Sequence, residues 1–182
     1  MFRIYHLTVI VLAIITGAVG VSTWVGQRDS EVQAAEPSPW QEQWKKVEEA
    51  QNKGLPKTAI AEIQPIIDAA IATKAYPEAI KAIGKKIAFE GIVEGNHPEE
   101  KITRLEAAIA TAPAEMKPVM HGILATWYWH YFQQNSWRFM QRTQTADGGS
   151  GKDLKTWNLP RIFEEIDKQF TTALNAEALL KA

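Results

Sequence analysis

The chain has 182 residues, with 20 Lys+Arg against 21 Asp+Glu, 46% hydrophobic residues and no cysteine. A formal charge of -1 leaves no basic excess for nucleic acid, and the missing cysteine excludes disulfides, thiolate metal sites, Cys nucleophiles and a lipid-modified N-terminal Cys. This size and apolar content suit one globular domain, which buries roughly two thirds of its unfolded surface.

Arg3 and His6 precede an uncharged apolar stretch from Leu7 to Val25. A short positive region, an apolar run and then small residues describe a signal peptide, and Val32-Gln33-Ala34 offers a cleavage point, with Ala18-Val19-Gly20 as a second. About 20 apolar residues also suffice to cross a bilayer, so an uncleaved signal anchor is the alternative; Gly17, Gly20 and the small residues that follow fit processing better. Either form predicts an exported chain, periplasmic or at the cell surface. Residues 1–34 are thus read as signal or anchor, 35–39 as a polar tether carrying Pro37, Ser38 and Pro39, and 40–182 as the folded domain.

From Trp40 the apolar period is helical. Trp40, Trp44 and Val47 form one face of a first helix, which Gly54 and Pro56 end. Ile60, Ile63, Ile67, Ala70 and Ile71 share a face of the second, where Pro65 removes a backbone donor and predicts a kink or a division. Tyr76-Pro77-Glu78 opens a third helix with Ile80, Ile83 and Ile87 inward, stopped at Gly91 or Gly95-Asn96. His97-Pro98-Glu99-Glu100 begins a fourth with Ile102, Leu105 and Ile109 inward, its acidic residues in the first turn favoured by the helix dipole. After Pro113 the longest helix runs from Ala114 to about Thr143, with Met120, Ile123, Leu124, Trp127, Tyr131 and Asn135 tracing its inward stripe. Residues 146–152, ADGGSGK, read as a loop, and a last helix from Pro160 shows Ile162, Ile166, Phe170 and Leu174 at four-residue spacing.

No window alternates with period two for long enough to form a strand. The fold class is therefore all-α: about five to seven antiparallel helices in hairpins, as a bundle or a short α-solenoid-like stack. KAYPEAIKAIGKKIAFEG resembles the second half of a tetratricopeptide unit, but no second copy follows at a period of about 34 residues.

The block Trp127–Arg142 is too rich in aromatics for one helix face, because successive residues are about 100° apart. It reads either as a helix buried on most sides or as a partner groove; Tyr128, Trp129, Trp137, Arg138 and Arg142 are the candidate binding residues, being of types enriched at interface hot spots. His121 and His130 are nine residues apart and face different ways, unlike the i, i+4 pairs of zinc sites. Glu48-Glu49, Glu99-Glu100 and Glu164-Glu165 read as solvated helix faces, and Gly148-Gly149-Ser150-Gly151-Lys152 lacks phosphate-loop spacing. No enzyme signature, catalytic residue, cofactor site or metal site emerges.

WKKVEEAQNKGLPKTAIAEIQPIIDAAIATKAYPEAIKAIGKKIAFEG, PEEKITRLEAAIATAPAEMKPVMHGILATWYWHYFQQNSWRFMQRTQTA and TWNLPRIFEEIDKQFTTAL together resemble the N-terminal helical region of large bacterial alpha-2-macroglobulin-like proteins, particularly those of planctomycete type. The likeness spans Trp40 to about Ala178; GLPKTAI and WYWHYFQQN-x-WRFMQRTQTA are its most specific parts. It implies an exported protein of a protease-trapping family. The sequence ends at Ala182, without the β-sandwich array and bait region of that family, and its lack of cysteine removes the thioester motif. The resemblance therefore implies a truncated, split or stand-alone non-enzymatic interaction module. Its partner would be a protein, such as macroglobulin domains or an envelope protein, with no nucleic acid and no membrane contact beyond the N-terminal segment; the alternative is a stand-alone α-solenoid-like envelope adaptor for a peptide or protein.

Overall fold

The computed structural model describes residues 39–141, 151 and 153–176. The segment 1–34 read as a signal or anchor, the expected tether up to Ser38, Arg142 and all of the expected loop 146–152 except Gly151 lie outside them. The described residues form α1 (Gln41–Asn52), α2 (Pro56–Ala72), α3 (Tyr76–Val93), α4 (Pro98–Thr111), α5 (Lys117–Gln141) and α6 (Leu159–Leu174), with a 3₁₀ turn at Leu154–Thr156 before α6. The fold is all-α, and no strand occurs among the described residues.

Proline sets the starts. Pro56, Pro77, Pro98 and Pro160 each occupy the first turn of their helix, where the missing N–H has no intrahelical partner to lose. The Asn158 side chain adds a cap on α6, accepting from the Arg161 amide at 3.0 Å. Gly54 turns the chain between α1 and α2 at φ +67, a conformation that costs other residues energy through their Cβ.

Each helix packs mainly on its chain neighbours, α1 on α2 and so on to α5 on α6. Val47, Ala59, Ile63, Ile66, Ala82 and Phe89 form a core between α1, α2 and α3. A larger one runs from Ala70 and Ala79 through Ile102, Leu105, Met120, Leu124 and Tyr128 to Ile162. Trp40, Ile71 and Ile83 pack against both, so the two are joined.

Of the two outcomes expected at Pro65, division does not occur, since α2 runs through it; Pro65 and Ala61 are both exposed, so the Ala61 carbonyl that lost its donor can bond water. Two further expectations are corrected. Gly91 does not stop α3, which continues to Val93. It is instead a point of close approach, since a Cβ there would lie 2.7 Å from Lys101 Cε on α4. Asn135 does not continue the inward stripe: its backbone leaves the helical region (φ -121, ψ 16), and its side-chain amide donates to the Tyr131 carbonyl at 2.8 Å.

The last helix departs most from its pattern. Ile162 and Ile166 are buried, but Phe170 is 43% and Leu174 74% exposed. Four-residue steps at about 100° per residue drift by roughly 40° each, so the line has turned by about 120° when it reaches Leu174. The buried line is instead Ile162, Glu165, Ile166 and Gln169. Ile162→Ala should therefore cost about 2–5 kcal/mol in denaturant unfolding, whereas Phe170→Gln and Leu174→Gln should stay within about 0.5 kcal/mol of the parent. Equal losses at all these positions would contradict the assigned face.

Candidate functional site

The aromatic block on α5 does not form one surface. Tyr128 is fully buried, stacked on Trp157 at 5.7 Å, with its hydroxyl donating to Glu106 Oε1 at 2.6 Å. Burial, and then the Glu106 bond, push that hydroxyl far above its ordinary pKa. It is a core anchor and lines no groove, a correction to its candidacy. Trp129 is partly exposed but leans on Phe132 and on Phe163 of α6, with ring centroids 5.5 and 6.3 Å away. Trp137 is 63% exposed and lies beyond the break at Asn135. The Arg138 guanidinium folds back, donating to the Tyr131 hydroxyl at 2.6 Å and lying 5.6 Å from the centroids of both Tyr131 and Phe139. Of the five candidates, only Trp129 and Trp137 offer substantial free area among the described residues.

The main concavity crosses α1, α3 and α5. A cavity of about 910 Å³ opens between α1 and α3, and one of about 290 Å³ between the end of α3, the start of α4 and α5; Ala88 lines both, so the two adjoin there, and together they are called the trough. Gly84 keeps its floor open, with nothing within 4 Å of where a Cβ would stand. Trp44 makes one wall: its indole Nε1 donates to Glu78, and Lys81 Nζ lies 4.3 Å from its ring centroid and 3.3 Å from Glu78. Trp127, His130 and Tyr131 make the other end.

A third cavity, of about 430 Å³, lies between α2, α3 and α4. Its α3 residues Ile83, Lys86, Ile87 and Glu90 are turned away from Lys81, Lys85 and Ala88, at about 100° per residue. The two grooves differ in electrostatics. In the third, Lys86 reaches Gln64 at 2.7 Å and Glu90 at 4.0 Å, and Arg104 reaches Glu90 at 3.6 Å, so both of its cations have a carboxylate partner. In the trough, among the described residues, Lys45, Lys85 and Lys101 have no carboxylate within ion-pair distance.

Sequence reasoning missed the trough because its residues run from Gln41 to Gln134, spread over helices brought together only by folding. The one local signal was Lys81, Lys85 and Ala88 on one side of α3 with Gly84 between them, which reads equally well as a solvated face.

Between α5 and α6 lies a polar clasp. Gln169 gives its amide N–H to Glu165 at 2.7 Å, leaving its oxygen to accept from His121 Nδ1 at 2.6 Å. Burial raises the Glu165 carboxyl, but the bonds from Lys168 and Gln169 and the charge of Arg161 outweigh it and hold the group below the usual range. Glu99 is held low in the same sense, burial being outweighed by its bond to Lys155. Among the described residues no three His, Asp or Glu side chains are placed to hold a metal, and no helix is long and apolar enough to cross a membrane.

These features define an all-α protein of sequentially packed helices with one open trough. No family model, curated protein or solved structure matches the chain.

Carboxylates held low stabilise the fold above the unfolded pKa of about 4.3, and that contribution disappears as pH falls through the folded value. Glu165→Gln should lower stability near neutral pH by about 1–3 kcal/mol and flatten the acid limb of the stability profile. An unchanged acid limb in urea titrations between pH 3 and 7 would contradict the clasp.

Proposed function

We propose that this chain is a non-enzymatic helical interaction module that holds a protein segment in the trough formed by α1, α3 and α5. The observation that carries the reading is that the two cavities adjoin at Ala88, one lined by Trp44 and the other by Trp127. Preformed concave surfaces walled by aromatics suit segments that bury a few anchor side chains. Local, neighbour-to-neighbour helix packing is what stacked-hairpin binding proteins use to build such faces.

The likeness of GLPKTAI and WYWHYFQQN-x-WRFMQRTQTA to the N-terminal helical region of bacterial alpha-2-macroglobulin-like proteins supports a relation to that protease-trapping family. Export, by a cleaved signal or an anchor, is part of the same proposal and rests on Leu7–Val25. N-terminal sequencing of the protein recovered from its native cell tests this: a start at Ala35 or Val21 is expected, and a retained Met1 on soluble cytoplasmic protein would contradict it.

Selection from a displayed peptide library should yield ligands that bind the full chain. Ala88→Trp, which fills the exposed joint between the two cavities, should weaken them at least about tenfold while leaving the helical circular dichroism melt in place. Ligands indifferent to Ala88→Trp, or no ligands at all, would refute the trough as the binding face.

A further inference from the structure

We infer that the trough selects an acidic, extended peptide segment, an inference that rests on the interaction-module reading and assigns its ligand chemistry. Charge carries it. Lys45, Lys81 and Lys85 line the α1/α3 part, and Lys101 and His130 line the α3/α5 part. The opposing carboxylates are Glu48 and Glu78, and Glu78 is already engaged by Trp44 and Lys81. Lys45 on α1, Lys85 on α3 and Lys101 on α4 are therefore cations without a carboxylate partner among the described residues, on a chain whose formal charge is -1. The fold neutralises the cations of the opposite groove with its own carboxylates and leaves these for a ligand.

Gln41 at one end and Gln134 at the other offer amide donors and acceptors to a peptide main chain, and Trp44 and Trp127 offer apolar faces to alternate side chains. Glu48 and Glu78 disfavour a nucleic-acid strand, whose phosphates recur at every nucleotide and cannot avoid them. A peptide can place apolar residues there and carboxylates opposite Lys45, Lys85 and Lys101.

The test is fluorescence polarisation of the full chain with four labelled probes: an octapeptide alternating Asp or Glu with Leu or Phe, its Gln/Asn counterpart, its Lys counterpart, and a single-stranded oligonucleotide of equal charge. The acidic peptide should bind at least about tenfold tighter than the uncharged one and weaken as salt rises from about 0.05 to 0.5 M, as expected for exposed charges. Lys85→Glu and Lys101→Glu should each weaken it at least about fivefold, and Lys57→Glu, an exposed lysine outside the trough, should not. Equal binding of the uncharged peptide, still lost in Ala88→Trp, would overturn the charge selection while the trough remains a peptide site. Tighter binding of the oligonucleotide would overturn the ligand class, and failure of all four probes would overturn the inference. If library-selected ligands still bound through Ala88 in that last case, the interaction-module reading would stand without it.

Discussion

Everything in this structure depends on how α3 is covered. Ala79, Ala82 and Phe89 are buried, and Ile83 packs against both core clusters, so one side of the helix is consumed by its neighbours. Small alanines let backbones approach, and each buried Ile or Phe contributes about 1.5–3 kcal/mol relative to exposure. With that side fixed, Lys81, Lys85 and Ala88 can only face outward, toward the gap between α1 and α5. The trough is a consequence of the packing and needs no loop to form it.

The same constraint explains the two grooves. Where α2, α3 and α4 meet, Lys86, Glu90 and Arg104 lie close enough to pair, and Arg104 also reaches Glu94 and Glu100. Such partly exposed pairs add little stability, since exposed ion pairs are worth about 0–1 kcal/mol. Their effect is to neutralise that face. Across the helix Lys81 pairs with Glu78, but Lys85 has no such partner among the described residues, and this difference in pairing gives the molecule one face suited to a charged ligand.

Most of the helical layout was legible in the sequence. Proline in first turns, Gly54, Gly95-Asn96 and the apolar spacing of Ile102, Leu105 and Ile109 locate elements that the structure contains. Local rules misled where tertiary context decides the outcome. Pro65 is tolerated because its side of α2 faces water, and Gly91 lies inside α3, where the Lys101 side chain occupies the space beside it. Phe170 and Leu174 follow an apolar line that drifts off the core, while Glu165 and Gln169 are buried because Lys168, Arg161 and His121 satisfy them. Tyr128 illustrates the same limit at the site level: its type suggested an interface, but Trp157 and Glu106, distant in sequence, draw it inside. The trough was illegible because no spacing along the chain links Trp44 to Lys101 or Trp127.

The central claim is that recognition occurs on the face shared by α1, α3 and α5. Backbone amide chemical-shift mapping during titration with an acidic octapeptide addresses it most directly. The account predicts shifts concentrated at Lys81, Gly84, Lys85, Ala88, Lys101 and His130, with little change at Gln64, Asp68 and Arg104 on the other side. Shifts confined to the α2/α4 groove, or to Trp129, Phe163 and Phe170, would contradict it.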